Sequence, residues 1–219
     1  TFLDGLWIRR PSPVHCAALG EALAKLHLAG LDFGRKRRNT LSVDGWRPLF
    51  EHCRDRVNEV QRSLRDLIEK ELAALERDWP HGLPQGVIHA DLFPDNVFFL
   101  GDTLSGMIDF YFACNDALAY DVAVCLNAWC FEADHSYNVT KGRALLQHYA
   151  RTRALGDEEL AALPRLARGA ALRFLLTRLV DWFNVPPGAL VRPKDPMEYF
   201  RKLRFHQQVK SVSDYGIEA

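Results

Sequence analysis

The strongest constraint on the fold is a change of period near the middle of the chain. Gly86–His89 and Asn96–Leu100 are short apolar runs typical of β-strands, and Gly106–Phe110 returns after a turn at 101–105. Elsewhere, apolar residues recur with the spacing of amphipathic helices. The sequence therefore predicts an α+β domain that is mostly helical, with a small antiparallel hairpin at its centre.

The first predicted helix has signals at both ends. Ser12 suits an N-cap, Pro13 the first helical position and Gly30 the C-terminal stop. Its apolar stripe is Val14, Ala18, Leu19, Leu23 and Leu26. A polar loop over 31–45 is expected to follow, and then a long amphipathic helix over Pro48–Arg77.

Further helices are predicted in the second half of the chain. The ranges are Leu118–Glu132, Thr140–Arg153, a helix with Asp157 as N-cap that extends to about Phe183, and Tyr199–His206. Pro164 is expected to interrupt the third of these, because proline removes a hydrogen bond and clashes with the preceding turn. A proline-rich link, which includes Pro187, precedes the last helix.

Charge narrows the class of protein. Lys plus Arg and Asp plus Glu are both 28 among 219 residues, so the formal net charge is zero. This balance argues against a nucleic-acid partner, because nucleic-acid binders usually carry a basic surplus. The run Arg35–Arg38 could form a phosphate or nucleic-acid patch, but we favour a solvated loop.

The cysteines indicate a reducing compartment. Their number is odd, none forms a CxxC pair, and they lie among apolar residues: Cys16, Cys53, Cys114, Cys125 and Cys130. We find neither a secretory signal pattern nor an apolar run of the roughly 18–20 residues that span a bilayer. We therefore expect a cytoplasmic protein with no membrane partner.

The residues with the clearest chemistry follow the first strand. His89 and Asp91 stand in His-Ala-Asp, Asn96 comes five residues after that aspartate, and Asp109 follows within Ile-Asp-Phe. Phosphoryl transfer to a hydroxyl needs a carboxylate that orients the hydroxyl and takes its proton, and oxygen ligands that hold Mg²⁺ against the nucleotide phosphates. The pattern predicts Asp91 as the base, with Asn96 and Asp109 as the ligands of the metal and its nucleotide.

Each of these signals is weak alone. A lone His-x-Asp is common, and we assign His89 to orienting the catalytic loop rather than to exchanging protons. An aspartate after an isoleucine is equally commonplace. Three residue types at fixed spacings in a strand–turn–strand setting are a stronger signal, and they favour a kinase-like site.

The same segment carries a resemblance to a known family. Residues 87–97 (VIHADLFPDNV), 106–116 (GMIDFYFACND) and 120–123 (YDVA) resemble the homoserine kinases of the aminoglycoside phosphotransferase and choline kinase-like family, in the protein-kinase-like superfamily. Residues 15–33 resemble that family too. The likeness covers nearly the whole chain and is most specific over 87–130.

The resemblance implies a fold and a reaction. Residues 1–219 would form the C-terminal lobe of a kinase, with the catalytic loop at 87–97 and the metal loop at 106–116. That lobe would phosphorylate a small alcohol with ATP and Mg²⁺, most simply L-homoserine in threonine biosynthesis. Asp121 resembles the family's structural aspartate, which braces the catalytic loop; an aspartate favoured by a helix N-terminus is an equally good interpretation.

The resemblance also implies a second lobe that this sequence does not supply. We find no glycine-rich phosphate loop, no Walker-type motif and no strand lysine of the Val-Ala-x-Lys kind. The segment from Phe2 to Gly5 resembles the stretch just after the hinge between lobes. We therefore expect the N-terminal, β-rich nucleotide lobe to be missing from these 219 residues, and the fragment alone to be inactive.

Residues that would bind the acceptor are harder to predict. Asn115 and Asp116 follow the metal strand and could face it. Arg173, Arg178 and Asp181 could share one helix face, although we favour a solvated face with ion pairs. Two tryptophans, Trp129 and Trp182, are expected in the core.

Two alternatives stay open. The acceptor could be an aminoglycoside, choline or a sugar, although an aminoglycoside pocket should be strongly acidic and the segment Tyr111–Cys114 is not. The chain could instead be a non-catalytic kinase-like binding module. Retention of Asp91, Asn96 and Asp109 argues against that.

Overall fold

The structure is a computed structural model that describes residues 3–186, 188–190 and 192–217. Phe2, from the hinge-like segment, and Pro187, from the proline-rich link, lie outside the described residues. The helices are α1 (Pro13–Ala29), α2 (Val43–Glu51), α3 (Val57–Val60), α4 (Leu64–Asp78), α5 (Leu118–Trp129), α6 (Val139–Thr152), α7 (Asp157–Phe183) and α8 (Pro196–His206). The strands are β1 (Leu6–Trp7), β2 (Gln85–Ile88), β3 (Val97–Leu100), β4 (Thr103–Met107) and β5 (Cys114–Ala117).

Helix α1 begins and ends as predicted. The Ser12 Oγ accepts a hydrogen bond from the His15 amide at 3.5 Å, and the Gly30 amide donates to Leu26 O at 3.0 Å. The helix packs so closely on α6 that a Cβ at Gly20 would lie only 2.2 Å from Leu145 O. Val14, however, is exposed rather than part of the apolar stripe.

The single helix predicted over Pro48–Arg77 is wrong, since that segment contains parts of α2, α3 and α4. Gln61 is extended and Ser63 has a φ of 64°, so the backbone reverses between α3 and α4. The side chain of Asn58 accepts from the Arg65 amide at 3.0 Å and satisfies a free donor at the start of α4. The buried apolar residues keep helical spacing across this break, which is why the pattern concealed it.

Helix α7 runs through Pro164 without interruption, so the predicted break is wrong. Proline costs this helix one backbone hydrogen bond. Leu163 and Leu166 on either side of the proline are buried in the core, and their packing holds the helix continuous. The residue before the helix, Gly156, is the N-cap in place of Asp157.

Two small antiparallel sheets position the loops of the site. The predicted hairpin is β3–β4, with Val97 opposite Met107, and β1 pairs with the other edge of β3. The second sheet pairs β2 with β5, a strand that the sequence pattern did not predict. The chain thus leaves β2, passes the catalytic loop, enters the hairpin and returns to β5 beside β2.

Helices α5 and α7 supply much of the buried interior, and α8 packs on α7. Helix α5 is buried along nearly its whole length, and all five cysteines are buried free thiols, as expected. Among the described residues, no helix is both long and apolar enough to cross a membrane.

Candidate active site

A buried aspartate braces the catalytic loop through two backbone amides. Asp121 Oδ2 accepts from the His89 amide at 2.7 Å, and its Oδ1 accepts from the Ala90 amide at 2.9 Å. Ala90 itself has a φ of 64°, a strained conformation for a residue with a Cβ. The bracing expected of Asp121 is confirmed, and the same residue lies in the first turn of α5.

A histidine that the sequence did not single out supports Asp121. His27 Nε2 lies 3.2 Å from Asp121 Oδ2, and its Nδ1 lies 2.7 Å from the Tyr149 hydroxyl. Burial acts to raise the pKa of Asp121, but the bonds from His27 and His89 outweigh it and the pKa is lowered. The one sequence signal for His27 was its place four residues after Leu23 on the buried face of α1.

His89 orients the loop through both ring nitrogens. Its Nε2 donates to Ile108 O at 2.9 Å, which leaves Nδ1 to accept from the Asp91 amide at 3.3 Å. The ring is fully buried. These bonds connect the catalytic loop to the strand that leads to Asp109, which agrees with an orienting role.

Asp91, Asn96 and Asp109 line one cavity of about 760 Å³. The hairpin register explains why, since Asn96 precedes Val97 and Ile108 follows Met107 on the opposite strand. The Ile108 amide donates to Asn96 O at 3.0 Å and closes this end of the hairpin. Asp109 comes next, with a φ of 61° that turns the backbone out of the strand.

The donor atoms in this cavity suit Mg²⁺. Asn96 Nδ2 donates to Asp91 O at 2.8 Å, which leaves its Oδ1 available as a ligand. Asp109 offers a carboxylate beside it. Among the described residues no three His, Cys, Asp or Glu side chains cluster as a metal cage. One carboxylate and one amide are the sparse set that Mg²⁺ uses when phosphates and water complete its shell.

Asp91 lies at the inner end of the cavity, where it is largely buried. Burial raises the pKa of its carboxyl group above the usual range, although the nearby Arg173 and His89 act in the opposite direction. Arg173 Nη2 lies 3.7 Å from Asp91 Oδ1. The carboxylate is therefore mostly buried, with the Arg173 cation nearby.

Arg173 lies in the middle of α7, and its side chain contacts the catalytic loop. Its Nη1 donates to Ala90 O, and its guanidinium lies over the rings of Phe174 and Phe112 at 4.2 and 5.6 Å from their centroids. The sequence placed it on a solvated helix face, and that interpretation is wrong because only 3% of the side chain is exposed.

Arg178 is also buried, and it is committed to a partner other than Asp181. Its Nη1 donates to Glu198 Oε2 at 2.6 Å and to Asp195 O at 2.9 Å, so it joins α7 to the start of α8. Asp181 lies two turns beyond Arg173 at the outer part of the same cavity, where Arg192 and Lys194 also line the wall. The outer part therefore carries both signs of charge.

Two further predictions about the acceptor are wrong. Asn115 Oδ1 accepts from the Arg37 amide at 2.9 Å, and Asp116 accepts from Asn39 Nδ2 at 2.7 Å, so both hold the 37–39 segment and neither lines the cavity. Trp129 is in the core as expected, but Trp182 is exposed because it falls near the outer end of α7.

Two strands of the three-stranded sheet carry exposed large apolar side chains. Leu6 and Trp7 are consecutive on the edge strand β1, so their side chains leave opposite faces of the sheet, and Leu100 ends β3.

Known proteins resemble this chain in sequence and in fold. A family model described as a phosphotransferase enzyme family matches residues 1–155. A protein named homoserine kinase from Afipia carboxidovorans is 68% identical over 99% of this chain, which covers 66% of the relative. Another from Rhodopseudomonas palustris is 69% identical over the whole chain, which covers 67% of that relative.

A solved structure shows the same fold. It is a choline kinase from Cryptosporidium parvum, which is 12% identical and has a TM-score of 0.68 over 94% of this chain and 68% of its own. The similarity supports a kinase-like α+β fold. The chain spans about two thirds of the length of the curated relatives it matches.

Proposed function

Since the chain belongs to this phosphotransferase enzyme family, we propose that it transfers the terminal phosphoryl group of ATP to the side-chain hydroxyl of L-homoserine. The product would be O-phospho-L-homoserine, on the route to threonine. The observation that carries the proposal is the convergence of Asp91, Asn96 and Asp109 on one cavity. The names of the relatives supply the acceptor.

In this proposal Asp91 accepts the hydrogen bond of the acceptor hydroxyl and aims its oxygen at the γ-phosphorus. It takes the proton as the new O–P bond forms and the bond from the γ-phosphorus to the bridging oxygen breaks, so that ADP leaves. His89 keeps the loop in place. Asn96 and Asp109 would hold Mg²⁺ and, through it, the nucleotide phosphates. When bound, the metal neutralises charge on those phosphates.

We further propose that residues 1–219 act as one C-terminal lobe beside an N-terminal nucleotide-binding lobe. The share of the relatives' length that this chain spans supports this arrangement. So do the exposed apolar side chains of Leu6, Trp7 and Leu100 on β1 and β3, which such a lobe could cover. Below, "full-length protein" means this chain together with that lobe.

The charges of the cavity favour a zwitterionic acceptor. Asp181 could pair with an ammonium group, while Arg192 and Lys194 could pair with a carboxylate. The distance along α7 from Arg173 to Asp181 is about 12 Å, which leaves room for a small amino acid between the base and the outer wall. A polycationic aminoglycoside would meet repulsion from Arg192 and Lys194.

We also place the reaction in the cytoplasm. The five cysteines are buried free thiols. Free thiols are typical of proteins in a reducing compartment, whereas disulfides are common in oxidising ones. L-Homoserine and ATP, the two proposed substrates, are small soluble molecules that need no membrane partner.

An acceptor panel tests the function. The full-length protein is assayed at saturating Mg²⁺ and ATP with L-homoserine, choline, kanamycin and simple sugars. We expect the highest kcat/KM for L-homoserine. Equal or better use of choline or kanamycin would contradict the acceptor, and no transfer to any acceptor would favour a non-catalytic binding module.

A further inference from the structure

Arg173 is a buried cation without a complete set of partners. A buried charge costs free energy unless it is paired and hydrogen-bonded. Its separation from Asp91 Oδ1, 3.7 Å, is longer than a hydrogen bond, and its buried Nε has no partner among the described residues. Neutralisation by a carboxylate is therefore an incomplete explanation of why an arginine occupies this position.

The surroundings fix the guanidinium in space. Phe174 and Phe112 contact its faces, and α7 is a continuous helix of 27 residues with a buried central portion. Cations over aromatic rings are stabilised most when water is excluded. The fork of Arg173 is therefore a rigid group that projects from α7 toward the catalytic loop.

The contact made by this group falls at the strained point of the loop. Arg173 Nη1 donates to the carbonyl of Ala90, the residue with a φ of 64°. Asp121 already holds the His89 and Ala90 amides from the opposite side. Ala90 is thus held at its amide by Asp121 of α5 and at its carbonyl by Arg173 of α7.

We propose that Arg173 is a positioning residue, which clamps the Ala90 carbonyl and faces the Asp91 carboxylate so that this carboxylate points into the cavity. The proposal rests on the proposed function, in which Asp91 is the base. It assigns Arg173 to the loop rather than to the acceptor. A displacement of the reacting groups by about 1 Å can cost about 10²-fold in rate.

Two variants of the full-length protein test this role. Arg173→Met keeps the length and apolar stem but removes the fork, and Arg173→Lys keeps the charge without the fork. We expect kcat to fall about 10²-fold in Arg173→Met, while KM for L-homoserine changes by less than about threefold. Arg173→Lys should recover only a part of the loss.

Chemical rescue provides a second kinetic readout. In Arg173→Ala the space of the side chain is left open, and millimolar guanidinium or methylguanidinium should raise kcat in a saturable way. The matched control is Arg168→Met, on the same helix. It breaks the ion pair between Arg168 Nη2 and Glu71 Oε2, which are 2.8 Å apart, and it does not touch the catalytic loop. That variant should lose stability but show no rescue.

Hydrogen exchange tests the clamp without turnover. In the 219-residue chain, Arg173→Met should speed exchange of the amides of residues 89–93, whereas Arg168→Met should leave them unchanged. If Arg173→Met does not fold, Arg173→Lys is measured in its place. If the wild type phosphorylates no acceptor, the proposed function fails, and loop exchange still decides whether Arg173 clamps the loop.

Three results would overturn the proposal. One is a kcat within threefold of the wild type in Arg173→Met. Another is a raised KM with an unchanged kcat, which would mean that Arg173 binds the acceptor. The third is loop exchange in Arg173→Met equal to that of the wild type.

Discussion

Hydrogen bonds within the site determine which side-chain atoms stay available for chemistry. The Asn96 side-chain N–H₂ donates to Asp91 O, which leaves Oδ1 available for a ligand. Both ring nitrogens of His89 are bonded to backbone groups, so neither is available. The carboxylate of Asp91 accepts no hydrogen bond among the described residues, so in the proposed reaction it can receive the acceptor hydroxyl.

The base role of Asp91 predicts a large effect of Asp91→Asn in the full-length protein. The amide is nearly isosteric but cannot take a proton, so kcat should fall at least about 10²-fold. Thermal unfolding should show a melting temperature within a few degrees of the wild type. Near-normal turnover would remove Asp91 from this role.

The ligand role of Asp109 predicts a different defect. In Asp109→Asn the site loses one negative charge, so Mg²⁺ and its nucleotide should bind more weakly. A titration of activity against Mg²⁺ should need a concentration at least about tenfold higher for half-maximal rate, with partial recovery at saturation. An unchanged Mg²⁺ requirement would exclude Asp109 as a ligand.

Residues with local signals were predicted from the sequence, and residues with distant partners were not. Asp91, Asn96 and Asp109 lie within one strand–loop–hairpin passage, so fixed spacing brought them together. Arg173 contacts Ala90 across 83 residues, and His27 contacts Asp121 across 94. No spacing rule connects such pairs, because packing of α1 and α7 on the loop brings them together.

At the scale of elements, the same limit explains β5. Its partner β2 lies 26 or more residues earlier, and the two pair with Ile88 opposite Cys114. The hairpin β3–β4 was predicted because its strands are joined by a short turn. The break between α3 and α4 was missed, since a backbone reversal at Ser63 leaves the apolar spacing intact.

Helices α5, α7 and α8 enclose a polar cluster that should control stability in acid. His206 Nε2 donates to Asn127 Oδ1 at 3.2 Å, because the amide of Asn127 already donates to two carbonyls, and the Tyr215 hydroxyl lies 2.8 Å from Nδ1. Burial, with the cations Lys202 and Arg168 nearby, lowers the pKa of His206 to about 3.

This pKa predicts the direction of a pH effect. The unfolded chain binds a proton at His206 below about pH 6.5, whereas the folded chain does not until about pH 3. The free energy of unfolding should therefore be greatest above pH 6.5 and fall as the pH drops toward 3. Urea unfolding of the wild type and of His206→Gln should show a smaller slope in the variant between pH 6.5 and 4. Equal slopes would contradict a neutral, buried His206.

At the scale of the whole molecule, the described residues offer a candidate base, candidate metal ligands and one cavity that all of them line. Phosphoryl transfer depends almost entirely on positioning and electrostatic stabilisation. The proposed reaction therefore needs a second lobe to hold the nucleotide.

This requirement predicts that the 219 residues alone bind Mg²⁺–ATP weakly and do not turn it over. Two oxygen ligands hold Mg²⁺ poorly unless nucleotide phosphates complete its shell. Isothermal titration should show no micromolar binding. Micromolar binding, with steady ADP release when L-homoserine is added, would mean that no further lobe is needed.

The identity of the phosphorylated product decides whether the chain carries out the proposed reaction. The full-length protein is incubated with Mg²⁺, ATP and L-homoserine, and the mixture is followed by ³¹P NMR beside Asp91→Asn as the control. We expect a phosphomonoester resonance that matches O-phospho-L-homoserine and grows in step with ADP, and that grows at least about 10²-fold more slowly in the variant. ADP without a phosphomonoester, or the same resonance at an equal rate in Asp91→Asn, would contradict the proposed reaction.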